Sequence, residues 1–344
     1  MKISKIRAII YAIMAAVFYA INVPISKILL EHIGPTTMAA LLYLGAGIGM
    51  LVLSFVDKSD KGSKLGRQDL PYVIGMIVLD IAAPILLMLG ITYGSSANAS
   101  LLGNFEIVAT TIVAYFMFKE NVSKRLWMAI VLITLSSILL SFEGSMSFRF
   151  SYASLLVIGA TVCWGLENNC TRNISFKDTY EIVVLKGIFS GLGALGMALI
   201  KHEILPDAIY IATALLLGFV AYGLSIFLYV RAQSVIGAAK TSAYYATAPF
   251  IGAFLSFVFL REKLTWTYLI SLLVMIAGTA MVVIDTLIQS HSHEHEHTYT
   301  HFHDGFRHTH TIKHSHAHDH YVTDMNHGHH HSLKDLEEAH VSHT

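Results

Sequence analysis

The sequence predicts an all-α membrane protein of ten transmembrane helices, arranged as two inverted five-helix repeats and followed by a disordered, His-rich C-terminal tail. Three observations predict it. Of the 344 residues, 54% are hydrophobic and only 13% charged, with a mean hydropathy of +0.59. A soluble domain carries about a quarter charged residues, because it must cover its surface with them. Next, ten runs are apolar and long enough to cross a hydrocarbon core, which takes about 20 residues. Finally, the chain matches itself at an offset of 142 residues. The formal net charge is zero, so there is no strong field to attract nucleic acid. The two cysteines, Cys163 and Cys170, lie seven apart on one expected helix. That is about 10 Å along the axis, too far for a disulfide, so they read as small apolar fillers.

The first run, 7–30, follows a basic start of Lys2, Lys5 and Arg7. The apolar stretch continues through Leu30 with no small-x-small cleavage pattern after it, so it reads as a membrane span and not as a signal peptide. The later runs are 36–56, 70–92, 95–118, 126–142, 152–172, 179–200, 208–230, 236–260 and 265–288. Turn-forming residues separate them: Gly34-Pro35, Lys61-Gly62-Ser63, Gly144-Ser145 and Pro206-Asp207. Tight connections force neighbouring helices antiparallel. One side then collects Lys2, Lys5, Arg7, Lys58, Lys61, Lys64, Arg67, Lys119, Lys124, Arg125, Arg172, Lys177 and Arg231. The other has only Arg149, Lys201, Arg261 and Lys263. Thirteen against four places both termini in the cytoplasm, with most of the bias in the first half. The bilayer expected is the plasma membrane.

At the offset of 142, Gly45 and Gly49 fall on Gly187 and Gly191, Ala97 and Ser100 on Ala239 and Ser242, and Lys119-Glu120 on Arg261-Glu262. A small gap, giving 145, matches Tyr19-Ala20-Ile21 to Trp164-Gly165-Leu166. These matches divide the chain into a first repeat over 1–146, a second over 147–289 and a tail over 290–344. Five helices is an odd number, so the copies face opposite ways, and inverted repeats place a substrate site near the midplane between them. The small-residue faces Gly45/Gly47/Gly49, Gly187/Gly191 and Gly193/Gly196 allow close helix approach. A homodimer is left open.

Two stretches carry a family resemblance. One runs from Ala97-Asn98-Ala99-Ser100-Leu101-Leu102 through Glu106 to Lys119-Glu120. The other runs from Arg231-Ala232 through Gly237-Ala238-Ala239, Ser242 and Pro249 to Arg261-Glu262. Over roughly 7–288 the chain resembles the EamA-type transporters of the drug/metabolite transporter superfamily. Those proteins usually hold a Glu-Pro pair in these helices; here Ile107 follows Glu106 and Ala248 precedes Pro249. The resemblance implies a ten-helix carrier of metabolites, often an exporter of amino acids or related compounds, with no nucleotide-hydrolysing domain.

A charge at the middle of a span costs about 2.5–3.5 kcal/mol on insertion scales, so each needs a reason. Asp80, Glu106, Glu167 with Asn168 and Asn169, Lys186 and Lys240 fall inside spans, with Asn22, Pro24 and Asn98 adding polarity. Two readings stay open. Asn22, Asp80, Asn98, Glu106, Trp164, Glu167, Asn168, Lys186 and Lys240 line a cavity that binds substrate or a coupling proton. Alternatively, acids pair with bases to hold helices together, Glu106 with Lys240 or Glu167 with Lys186. Lys27, Arg172, Arg231 and Asp285 lie at helix ends, where they are expected to snorkel to the interface. Lys119-Glu120 and Arg261-Glu262 are expected to terminate spans.

Eighteen of the twenty histidines crowd into 291–343. Many alternate with other residues: His291, His293, His295, His297, His301, His303, His308, His310, His314, His316, His318 and His320. Imidazole ligates zinc, nickel, cobalt and copper. No fixed tetrahedral spacing stands out, so the tail is expected to chelate divalent metal in many registers and to be disordered without it. No resident cofactor is expected otherwise.

The partners expected are therefore the lipid bilayer, a small solute and divalent metal ions. The leading function is a secondary carrier, an exporter, of a small polar metabolite such as an amino acid, with a metal-responsive tail. The alternatives are a divalent-ion carrier (Ni, Co or Zn) and a membrane metal sensor. No nucleophile–base constellation or phosphate loop appears, so an enzyme is not expected.

Overall fold

The computed structural model describes residues 5–56, 63–119, 122–142, 151–175, 177–236, 238–303 and 306–321, with the backbone alone for 118, 234, 238–240 and 288–321. Two compact units result, Met1–Val283 and Ile284–Thr344.

Among the described residues, the regular elements of the first unit are helices. In order it contains α1 (Lys5–Ala20), α2 (Asn22–Leu29), α3 (Pro35–Val56), α4 (Leu70–Tyr93), α5 (Ser96–Leu102), α6 (Phe105–Phe118) and α7 (Lys124–Leu140). The second half of the chain supplies α8 (Tyr152–Ile174), α9 (Thr179–Ile200), α10 (Ala208–Gly218), a π-helical stretch Phe219–Leu224, α11 (Ser225–Ile236), α12 (Ala238–Tyr245), α13 (Ala248–Leu260) and α14 (Trp266–Leu287). Helix is the outcome lipid demands, because each backbone N–H and C=O is then satisfied within its own segment. Among the described residues, eight helical segments are long and apolar enough to cross a membrane. Two of the ten expected spans are not among them. Helix α7 has 17 residues, the lower end of what a hydrocarbon core requires. Helix α8 carries Glu167, Asn168, Asn169, Arg172 and Asn173 in its last two turns.

The distribution of polarity is that of a membrane protein. Large apolar side chains face outward, with Phe55 78%, Phe116 71% and Trp266 81% exposed, while Asn22, Asp80, Glu167 and Asn169 are at most 3% exposed. A water-soluble fold has the opposite arrangement. Glycines set the helix spacing. A Cβ on Gly187 of α9 would lie 2.5 Å from Gly47 Cα of α3, so these backbones touch only because both residues are glycine. Gly45 and Gly218 press in the same way against the backbones of Leu215 and Leu42, and Gly49 against the Phe219 ring. Gly196 is an exception to the expected small-residue faces, since it has open space where its Cβ would be.

Two helix breaks lie in the first half of the chain, and the second of them recurs at a matched place in the other half. Ile21 interrupts α1 and α2 just ahead of Asn22 and Pro24, as the polar, proline-containing run predicts. The fourth and ninth segments break at 103–104 and 246–247. Both end in a left-handed residue, Lys119 at φ 54° and Arg261 at φ 51°. The span-terminating role expected of these basic residues is thus a backbone cap.

Lys27 does not snorkel. Its Nζ donates to the carbonyls of Ile91 at 2.6 Å, Thr92 at 3.2 Å and Gly94 at 2.9 Å, filling orphan acceptors at the C-terminal end of α4. Two glutamates cap helix starts across the halves. Glu262 accepts from Ser95 Oγ at 2.5 Å, Ser96 N at 2.7 Å and Ala97 N at 3.0 Å. Glu203 accepts from Thr36 N at 3.1 Å and from Thr37 N and Oγ1 at 2.7 and 2.8 Å. Burial pushes the Glu203 carboxyl up, but the bonds from Thr37 and Thr36 outweigh it and hold the group below its ordinary range.

In the second unit, Ile288–His303 and Phe306–Tyr321 pair as an antiparallel hairpin. This departs from the expectation of a tail without regular structure; alternating sequence with a period of two suits a pleated strand. The register sets His291 opposite His318, His293 opposite His316, His295 opposite His314 and His301 opposite His308. Residues 322–344 lie outside the described residues.

Candidate functional site

The buried charges meet at one place in the helical unit. Helix α9 supplies Lys186, whose Nζ lies 3.0 Å from Asp80 Oδ2 on α4 and 3.0 Å from Glu167 Oε1 on α8. The Tyr43 hydroxyl, from α3, donates to Asp80 Oδ1 at 2.9 Å. Trp164 Nε1 in turn donates to that hydroxyl at 3.2 Å. Thr171, one turn beyond Glu167, donates to its Oε1. The cluster thus joins four helices, and its members are polar because each replaces the water another has lost.

Glu106 stands at the start of α6, where the chain breaks after Gly103-Asn104. It accepts from Asn168 Nδ2 at 2.6 Å, and the same amide lies 3.3 Å from Thr110 Oγ1. Asn169 donates to the carbonyls of Gly165 and Thr110 at 2.8 and 3.1 Å, fastening α8 to α6. Gly165 makes this approach close, since a Cβ there would meet the Thr110 backbone nitrogen at 2.8 Å.

These groups border a cavity of about 420 Å³, whose walls include Glu106, Trp164, Glu167, Asn168 and Lys186 together with Tyr19, Tyr43, Tyr222, Tyr229 and Tyr245. Residues from both halves of the sequence therefore form one chamber. Asp80 is fully buried behind Lys186 and Tyr43 and does not reach the wall. Asn22 also lies behind the wall, donating to the Tyr222 hydroxyl at 2.9 Å and accepting from Ser26 at 3.1 Å. Asn98 is turned away: its amide lies 3.5 Å from the Leu140 carbonyl, at the end of α7. The Lys240 side chain is outside the described residues.

The helix-holding alternative is therefore realised for Glu167 with Lys186, and Asp80 joins that pair. Glu106 has the Asn168 amide as a partner; its expected pairing with Lys240 lies outside the described residues. Two features were not anticipated from the sequence. One is the π-helical turn, which adds a residue to the helix and carries Tyr222 at the cavity. The other is the tyrosine wall itself. A signal was present, since Tyr43 and Tyr222 fall mid-span, while membrane tyrosines favour the interfaces. Among the described residues, no group of three His, Cys, Asp or Glu side chains is placed to hold a metal ion.

The EamA-like transporter family matches the chain twice, over residues 6–142 and 151–284. The chain belongs to the EamA-like transporter family. Family membership and the apolar outer surface together make it an integral membrane transporter. Among its relatives is an uncharacterized transporter of Methanothermobacter thermautotrophicus, 26% identical over 292 residues, covering 77% of this chain and 83% of that one. Another is the uncharacterized transporter YyaM of Bacillus subtilis, 22% identical over 256 residues, covering 70% and 82%. A solved structure described as "Crystal structure of protein" shares the fold with a TM-score of 0.58 at 13% identity, covering 82% of this chain and 98% of that one.

Proposed function

We propose that this transporter is a secondary carrier that exports a small polar organic solute by alternating access, through the chamber between two inverted five-helix repeats. The observation that carries the proposal is that chamber. It is walled by residues from both halves, it holds buried acids and a lysine, and its volume of about 420 Å³ suits a metabolite-sized solute. The double family match and the recurring breaks and left-handed caps support the repeat. Ten crossings follow if α7 and α8 also span. With the excess of basic residues on one side, both termini then lie in the cytoplasm of a cell whose plasma membrane holds the protein. The tail adds a divalent-metal binding element that regulates the carrier. Its alternating histidines, and the hairpin register that sets four histidine pairs opposite one another, support that role.

Flux of a panel of organic solutes and of Ni, Co and Zn ions in proteoliposomes tests this, comparing the full chain with a truncation after Ile288. The expected result is organic solute flux that survives truncation, with metal altering flux only in the full chain. Glu167→Gln should impair flux while leaving folded protein in the membrane. If only metal ions move, and truncation abolishes their movement, the protein is a divalent-ion carrier.

A further inference from the structure

Two features of the chamber constrain its occupant. The first is charge. Lys186 is held between two carboxylates, Asp80 and Glu167, so its charge is already more than compensated. Glu106 faces a neutral amide at 2.6 Å, and among the described residues no cation lies against it. Among the described residues three acids thus share one lysine, and a buried carboxylate with only neutral donors lacks the partner that would offset its lost hydration. Ser100 also lines the chamber; it is 5% exposed and its Oγ has no hydrogen-bond partner.

The second feature is an aromatic wall. Trp164 bonds to Tyr43, whose ring centroid lies 5.4 Å from that of Tyr222. Tyr222 meets Tyr19 edge-on at 5.9 Å, Tyr19 meets Tyr245 at 5.7 Å, and Tyr245 meets Tyr229 edge-on at 5.2 Å. Six rings in a chain offer apolar faces with negative π density, which attract ammonium groups and apolar bodies and disfavour anions.

We infer that the chamber takes an amine-bearing organic cation without a carboxylate, its ammonium on Glu106 and its apolar body against the tyrosine wall. Ser100 Oγ is an acceptor for a second ammonium proton. An amino acid is a poorer occupant, because its carboxylate enters a site whose described residues already hold more acids than bases. This narrows the carrier reading and rests on it only for the chamber's part in transport.

The test is calorimetric binding to the full chain in lipid nanodiscs, using four probes that share a phenylethyl body. Phenethylamine is the cation, phenylalanine the zwitterion, phenethyl alcohol the neutral form and 3-phenylpropionate the anion. Phenethylamine should bind about tenfold or more tighter than the other three, the scale of one charge-assisted hydrogen bond. Glu106→Gln should remove that preference and leave the alcohol unchanged. Should that variant not fold, Tyr245→Leu takes its place and should weaken the amine by about three- to tenfold. No binding of the amine, equal binding of phenylalanine or 3-phenylpropionate, or an amine affinity untouched by either substitution overturns the inference. Flux of neutral or anionic solutes without amine binding overturns it while leaving the carrier reading intact. Amine binding without flux of any solute upholds it and overturns the carrier reading.

Discussion

Lys186 is the keystone of the buried charge cluster, and its removal is the sharpest test of the packing. Its Nζ lies 3.0 Å from both Asp80 and Glu167, which are 0% and 2% exposed. Replacing it with Met keeps the length of the side chain and removes the charge, leaving two carboxylates facing one another without a cation. Breaking a buried pair from one side costs about 3–5 kcal/mol, because the remaining charge has lost its water and gained nothing. Tyr43 and Thr171 still donate to these acids, which places the expected loss near the lower end, about 3 kcal/mol. By the scaling for domains of 150–250 residues, that lowers the melting temperature by roughly 6–12 °C. Thermal unfolding in nanodiscs, followed by tryptophan fluorescence, measures it. The double variant Asp80→Asn with Lys186→Met should recover part of the loss, since these positions touch and their effects cannot add. A Lys186→Met protein that melts where the parent does would refute the cluster as a structural element.

Three further outcomes follow from the geometry. Gly187→Leu puts a side chain where the Gly47 backbone lies, so α3 and α9 must separate; overpacking of this kind costs about 1–3 kcal/mol, and monodispersity on gel filtration should fall. Tyr43→Phe takes the hydroxyl from Asp80 and the acceptor from Trp164 Nε1; a loss of about 1–3 kcal/mol is expected, visible as a lower melting temperature and altered Trp emission. Glu203 has a carboxyl held below its ordinary range, so the stability it contributes is full above the unfolded-state value and fades as pH falls through the folded one. The parent should therefore lose stability as pH falls below the ordinary glutamate value of about 4.3, and Glu203→Gln should show a flatter profile there. An equally steep decline in the variant would assign the acid sensitivity to another group.

Much of this architecture was legible because lipid is a demanding solvent. Apolar runs of sufficient length, the Gly34-Pro35 and Pro206-Asp207 punctuation and the matched Lys119 and Arg261 follow from local chemistry, and local chemistry is written in order along the chain. The polar residues inside spans also announced themselves, since Asp80, Glu106, Glu167 and Lys186 each carry a cost that composition alone exposes. Their partners were not legible. Lys186 meets Asp80 across 106 positions of sequence, and Glu106 meets Asn168 across 62, because helix rotation and spacing decide which side chains meet. Those rotations are set by contacts such as Gly47 on Gly187, which belong to pairs of helices and to neither alone. The same holds for Lys27, whose position at a helix end pointed to the membrane interface until α4 supplied three carbonyls within its reach. By itself, then, the sequence determined a polytopic helical membrane protein that matches itself at an offset of 142 residues, with a histidine-rich extension. Only the tertiary structure decided that three acids share one described lysine beside a tyrosine wall, because charge balance and aromatic enclosure are properties of a chamber and exist only when the helices have packed.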